Sequence, residues 1–361
     1  MNIQELSKHY AKRPQVAALA KAVKEGKQNV FLEGLLASSA PLLFSSLAQL
    51  CSPVIFFILQ DAEEAGYFYH DLTQLMGPER VLFFPSSYRR SVKYAQRDPA
   101  NEILRTEVLT ELGEKLRVNS DKFPAGVPVG EGMAAANSSL FTSHFSLYIV
   151  SYPEAVAEMV VSKQQLDSRT LVLEVGQEVS TATIEQTLQD FGFREVDYVY
   201  EPGQYALRGS ILDVFSFSCE YPYRIDFFGD EIDSIRTFEV EDQLSKERRQ
   251  QVEIVPDLAG LAEDKDSLFK FLPAETILAV KDYDFVADAV DRTFQEGFSR
   301  QAITERMERL RVGEHSSGMQ AATELEQHDI EQQLRRECQL ITGVHFRNES
   351  AAFPRIEFGH R

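Results

Sequence analysis

The sequence predicts an α/β chain: a doubly wound parallel sheet joined to an inserted α+β region with a mainly antiparallel sheet. Three observations predict it. From Asn29 to Phe84, apolar strand candidates alternate with amphipathic helix candidates in β-α-β-α-β order, the signature of a parallel sheet. Pro53–Leu59 (PVIFFIL) is a continuous apolar run, as expected of a strand buried on both faces. Tyr198–Phe238 then switches to period-two alternation, dense in β-formers, aromatics and turn residues.

The elements follow in order. Residues 1–26 read as two short helices broken near Arg13–Pro14. Asn29–Glu33 is a strand, Gly34–Ala40 a small-residue loop and Leu42–Leu50 a helix. After the Pro53–Leu59 strand come a helix over Ala62–Met76 and a strand over Arg80–Phe84. Pro85–Pro99 is a polar connection, and Ala100–Leu116 a helix with Ile103, Leu104, Val108, Leu109 and Leu112 on one face. Arg117–Ser139, rich in Gly, Pro, Ser and Ala, reads as a mobile insertion. Leu147–Ser151 is a buried strand that should close the first sheet.

Thr170–Glu174 is the next strand. Ser180–Phe191 is a helix with Ser180 as N-cap and Gly192 at the C′ position. Beyond the β-rich stretch, Leu244–Gln251 reads as a charged connector, with strands at Val252–Pro256 and Thr276–Lys281. Asp284–Arg311 is helical with a break near Gly297, Gly313–Ala322 a loop, Thr323–Gln339 a helix and Arg355–Phe358 a final strand. The stop on GHR is compatible with a fragment or with a natural end.

Composition narrows the function. The 361 residues are 43% apolar and 11% aromatic, so the chain is globular. The three cysteines and seven histidines are scattered without metal-ligand spacing, which argues against a disulfide framework or a metal site. A net charge of −19 disfavours autonomous binding to a phosphate backbone. No apolar run is long enough for a membrane helix, and the polar N-terminus lacks a signal-peptide core, so a cytoplasmic protein is expected.

The loop after the first strand is where a phosphate-binding loop would sit. That loop needs glycines to wrap phosphates in backbone N–H groups, Lys for the β/γ-phosphates and Ser/Thr for Mg²⁺. Here Gly34 is kept, Ser39 replaces the second glycine, Ala40 the lysine and Pro41 the Ser/Thr. Either the loop is a plain strand–turn–helix connection or it is a degenerate phosphate loop. Both readings predict no ATP hydrolysis there.

In the β-rich stretch Tyr223, Ile225 and Phe227 should face one way and Arg224, Asp226 and Phe228 the other. Gly229–Asp230 turns the chain into Glu231–Phe238, where Ile232, Ser234 and Arg236 should oppose Asp233, Ile235 and Thr237. One account has Arg208, Arg224 and Arg236 paired with Asp213, Asp226, Asp230 or Asp233 on a solvated face, contributing little. The other has an exposed Phe228 among arginines as an interface hot spot.

RGSILDVF…EYPYRIDFFGDEIDSIRTFEVEDQLS (Arg208–Ser245) resembles the domain-2 signature shared by the UvrB and Mfd families of DNA-repair proteins. More loosely, the resemblance covers nearly the whole chain, with Gly34–Pro41 at the Walker A position. The dead loop and the short, aromatic-poor Pro85–Pro99 are similar to the Mfd form, the N-terminal UvrB-homology module of transcription-repair coupling factors. The resemblance implies a helicase-like, degenerate RecA-like domain 1a over 1–150 and 340–361. It implies a UvrA-binding domain 2 over 151–245 and a second inserted subdomain 1b over 246–339. It implies a non-catalytic adaptor that recruits UvrA through Arg208, Arg224 and Phe228, with Arg236 as a further candidate. ATP, Mg²⁺, RNA polymerase and double-stranded DNA would be engaged by domains absent from this chain. Charge reversal at Arg208 or Arg224 should abolish docking and spare the fold. An active UvrB-like, ATP-dependent damage-processing subunit is the alternative. The Arg117–Ser139 insertion departs from the family pattern.

Overall fold

A computed structural model describes residues 3–35, 38–87, 98–120, 146–258, 265–297 and 340–359. The chain divides into two compact units: Met1–Arg97, Leu112–Val160 and Ser267–Arg361 form one, and Asp98–Glu111 with Val161–Asp266 form the other. In chain order the strands are β1 (Asn29–Phe31), β2 (Val54–Ile58), β3 (Val81–Phe83), β4 (Leu147–Ser151), β5 (Val160–Val161) and β6 (Leu171–Glu174). They continue as β7 (Arg194–Glu195), β8 (Gln204–Arg208), β9 (Ile211–Val214), β10 (Tyr223–Phe228), β11 (Glu231–Phe238) and β12 (Ser245–Arg249). The remainder are β13 (Gln251–Ile254), β14 (Lys265–Asp266), β15 (Ile277–Val280) and β16 (Arg355–Glu357).

The first unit holds a parallel sheet in the order β1-β16-β15-β2-β4-β3. Its central strands β15, β2 and β4 are buried along their whole length, as their unbroken apolar runs require. Phe57 of β2 gathers an aromatic cluster, with ring centroids 4.8 Å from Phe44, 4.9 Å from Phe68 and 5.4 Å from Tyr148. The Ala62–Met76 helix has its predicted bounds, and Asp61 caps it by accepting from the N–H groups of Glu63 and Glu64 at 2.9 Å.

Several expectations are corrected here. β4 does not close the sheet; it lies between β2 and β3. β15 lies between β16 and β2, so Ile277–Val280 belongs to the parallel sheet and not to a separate subdomain over 246–339. An apolar run specifies a buried parallel strand but not its neighbours, since the long crossovers between parallel strands can deliver it to more than one place in the sheet. The helix after the loop starts at Ser39 rather than Leu42, because proline is tolerated in a first turn. The Pro99–Ser120 helix runs past Leu116 and takes the first four residues of the expected insertion. The rest of that insertion lies outside the described residues, as do most of Pro85–Pro99 and the whole of Gly313–Ala322 and Thr323–Gln339.

The second unit is built on a sheet in the order β12-β11-β10-β9-β8-β7, antiparallel except for the β7–β8 pair. One face packs on the Thr181–Asp190 helix and the β6–β13 pair, burying Leu173, Ile184, Leu188, Tyr205, Ile225 and Phe227 among others. Ser180 caps that helix through the Thr183 N–H at 3.2 Å, and Gly192 takes φ +81°, as the sequence predicts. Leu244–Gln251 is not a connector: most of it forms the fully exposed edge strand β12. Charged side chains are common on edges, which must resist pairing with other chains, so charge alone did not separate strand from linker.

Alternation holds in β10 and fails in β11. Asp226 pairs with Ser234 but Phe227 pairs with Ile232, so Asp233 is an extra residue in a β-bulge. The bulge turns Ile232 inward alongside Ile235, both fully buried, while Ser234 and Arg236 stay on the outer face. Strict period two would have exposed Ile232.

Glu107, on the part of the Pro99–Ser120 helix that belongs to the second unit, is held protonated up to about pH 7, against an ordinary 4.5. Burial is the main cause, with repulsion from Glu111 and Glu220 adding to it. The folded chain therefore binds this proton more tightly than the unfolded chain. Its stability should decline as pH rises from about 4.5 to about 7. Glu107→Gln should flatten that decline in urea unfolding curves; an unchanged slope would place the titration elsewhere.

Candidate docking face and the loop at the first strand

On the outer face of the second unit's sheet, Asp213 of β9 is completely buried. Its register partners are Ala206 on β8 and Arg224 on β10. Arg224 binds it as a fork, Nε donating to Oδ1 at 2.7 Å and Nη2 to Oδ2 at 2.9 Å. Arg208 donates to the same carboxylate and, through Nη1, to the Asp197 carbonyl at 2.7 Å. Hydrogen bonding to Asp213 raises the pKa of the Arg224 guanidinium, outweighing the opposing effect of burial.

The turn after β11 completes the clamp. Gln243 sits at φ 61°, in the left-handed region that costs a non-glycine residue strain. There its carbonyl accepts from Arg224 Nη1 at 3.2 Å. Arg224 also lies over the Phe238 ring at 4.3 Å, and Arg208 over Tyr198 at 5.0 Å. Val199, Ala206, Phe215 and Phe238 form a small second core on this side, so the face is not simply solvated.

Arg236 pairs with Asp226, which also accepts from Ser234 Oγ at 3.0 Å. Asp213 and Asp226 are thus the arginines' partners; no such pair involves Asp230 or Asp233 among the described residues. Phe228 ends β10, and its side of the sheet is that of Arg224, about 13 Å further along the strand. The hairpin tip is fixed by Gly229 at φ +64°, and by hydrogen bonds from Val179 N–H to Asp230 O at 2.7 Å and from Ile232 N–H to Gln177 O at 3.0 Å.

The three carried-over residues share a face but differ in access. The Phe228 residue is 83% exposed, while the side chains of Arg208 and Arg224 are 38% and 17% exposed. Arg224 is chiefly an internal group. Charge reversal there would set a second carboxylate against buried Asp213, so Arg224→Glu, expected from the sequence to spare the fold, should instead destabilise it. Two exposed aromatics precede β8: Tyr198 at 54%, whose ring lies under Arg208, and Tyr200 at 59%. Period-two reasoning could not find them, because they lie between strands.

In the first unit Gly34 takes φ +80° after β1, and Ser39, Ala40 and Pro41 form the first turn of the following helix. Leu35, Ser38, Ala40 and Pro41 of this segment border a cleft of about 280 Å³ together with Glu64, Asp71 and Lys281. Lys281, at the end of β15, pairs with Glu64. Ala40 and Pro41 are buried, and the ammonium in the cleft is matched by two carboxylates. A triphosphate would meet net negative charge there.

Among the described residues no group of side chains could hold a metal ion, and no helix is long and apolar enough to cross a membrane.

Residues 171–258 match the family described as the UvrB interaction domain. The chain is 43% identical to the transcription-repair-coupling factor of Escherichia coli K12 over 91 residues, covering 25% of this chain and 8% of that protein. It is 25% identical to the factor of the same name from Bacillus subtilis over 239 residues, covering 66% of this chain and 18% of that protein. With the Haemophilus influenzae factor it shares 36% identity over 102 residues, covering 28% and 9%. The chain therefore spans less than a fifth of the length of these relatives. These matches liken residues 171–258 to a UvrB interaction domain and longer stretches of the chain to part of transcription-repair-coupling factors.

Asp213→Ala would strand two guanidiniums against a partly apolar face. Removing one partner of a buried ion pair costs about 3–5 kcal/mol, so the second unit should lose stability on that scale in chemical denaturation. A loss below about 1 kcal/mol would show that the arginines find other partners or water.

Proposed function

We propose that this chain is a non-catalytic adaptor module of the transcription-repair coupling type, and that its UvrB interaction domain recruits the nucleotide-excision-repair protein UvrA. One observation carries the docking reading: Phe228 is a large aromatic left 83% exposed at the tip of a hairpin whose backbone is pinned on both sides. A rigid exposed aromatic loses little conformational freedom on binding and fits the role of an interface anchor. Arg208 supports it from the same face, with a third of its side chain accessible while Asp213 and Tyr198 hold its direction. In this reading Arg224 and Arg236 act mainly by shaping the surface that Phe228 and Arg208 present.

The scaffold reading rests on the cleft at Gly34–Pro41. Without a lysine or a metal-binding hydroxyl at the required positions, and with Glu64 and Asp71 facing the space, it is poorly suited to ATP–Mg²⁺. This disfavours the alternative of an active, ATP-dependent processing subunit. In a full-length coupling factor, ATP-driven translocation and the contacts to RNA polymerase and duplex DNA would fall to other regions.

Phe228→Ala should weaken UvrA binding by at least about 2 kcal/mol, roughly 30-fold, in calorimetric titration, with unfolding unchanged because the ring is exposed. Affinity equal to that of the unaltered chain would sink the docking reading. Titration with ATP and Mg²⁺ should show no saturation in the micromolar range. Saturable binding would reinstate the enzyme alternative.

A further inference from the structure

We propose that Arg248, on the edge strand β12, is the cation that meets a carboxylate of the protein docked on this face, alongside the apolar anchor Phe228. The inference deepens the UvrA-docking reading and rests on it. It starts from the cross-strand register. Arg224 stands opposite Arg236, and Arg236 stands opposite Arg248. With strands about 4.8 Å apart, three arginines fall within about 10 Å along one row of the sheet.

Like charges directly opposite one another destabilise a sheet. The fold relieves two of the three, with Asp213 taking Arg224 and Asp226 taking Arg236. Arg248 has no ion pair or hydrogen bond from its side chain among the described residues, and it is exposed. The other basic residues of β12 are compensated: Lys246 binds Glu239 at 3.1 Å and Arg249 binds Glu247 at 2.7 Å. Arg249 pairs in register with the core residue Ile235, on the opposite side from Arg248. The row therefore ends in one guanidinium with all its donors open, on the face that carries Phe228. A planar fork of donors is suited to a carboxylate, and a carboxylate arriving there also removes the Arg236–Arg248 repulsion.

A partner of protein rather than nucleic acid follows from the surroundings. Glu231, Asp233, Glu239 and Glu241 lie on β11 and the turn beyond it, and the chain carries a net charge of −19. A phosphate backbone brings a line of negative charges that would meet these carboxylates as well; a single acidic side chain would not.

The test measures association of UvrA with the unaltered chain and with Arg248→Glu, Arg248→Gln, Arg249→Ala and Phe228→Ala, at low and at physiological salt. Arg248→Glu should weaken binding roughly tenfold, mostly through a slower association rate, with the deficit shrinking as salt rises. Arg248→Gln should lose less, and Arg249→Ala should stay within about twofold. Thermal unfolding should not fall in either Arg248 variant, since each relieves the repulsion from Arg236. Arg248→Glu binding like the unaltered chain while Phe228→Ala fails to bind would overturn this inference and leave the docking reading standing. Equal losses for Arg248→Glu and Arg249→Ala would also overturn it, as an effect of net charge alone. Duplex-DNA binding by the unaltered chain that Arg248→Glu removes would overturn it in favour of phosphate recognition. No UvrA binding by the unaltered chain would overturn both.

Discussion

The second unit depends on one buried carboxylate. Asp213 stands on a strand whose other residues, Ile211, Leu212 and Val214, are apolar, and two guanidiniums converge on its buried carboxylate. That requirement propagates outward. Arg224 must cross from β10, so β9 and β10 must keep their register. Arg208 must reach from the end of β8, so its aliphatic stem and the Tyr198 ring settle beside it. The turn at Gln243 adopts a left-handed conformation in which its carbonyl accepts from Arg224. A neutral residue at 213 would leave each of these features without a cause. Buried ion pairs seldom add net stability, but they penalise misregister heavily, because a slipped strand leaves a charge stranded.

Much of this was legible beforehand, and the reasons differ by element. β2 could be read from PVIFFIL because a strand buried on both faces leaves no other signature. The Thr181–Asp190 helix announced both ends, with Ser180 and Gly192 in their capping roles. The place of β15 in the parallel sheet was not legible, since TILAVK carries no mark of its neighbours. Nor was β12, whose five exposed residues look like a linker until an adjacent strand is seen. In β11 the error was local: one extra residue at Asp233 shifts the phase, and alternation has no means of detecting an insertion.

The candidate site divides in the same way. The exposure of Phe228 and the pairing of arginines with Asp213 and Asp226 were both within reach of alternation. That these two accounts hold together was not. The arginines are occupied by the fold, and the aromatic stands clear of it. Sequence order lists the charged groups but does not say which of them are already spent, and Arg248 differs from Arg249 only through register. The cleft at Gly34–Pro41 shows the complementary case. The missing lysine was obvious, whereas the Lys281–Glu64 pair that occupies the space joins residues more than two hundred positions apart.

The edge strand has a second consequence. β12 ends the sheet with a row of backbone donors and acceptors facing outward, the kind of border on which another copy of the same hairpin could lay itself. Lys246, Glu247, Arg248 and Arg249 crowd that border with four consecutive charges. A second β12 running alongside would have to bring its own cations against these. The sheet is thereby discouraged from growing into a ladder of identical chains, a hazard for any module that must keep a sticky aromatic such as Phe228 in the open.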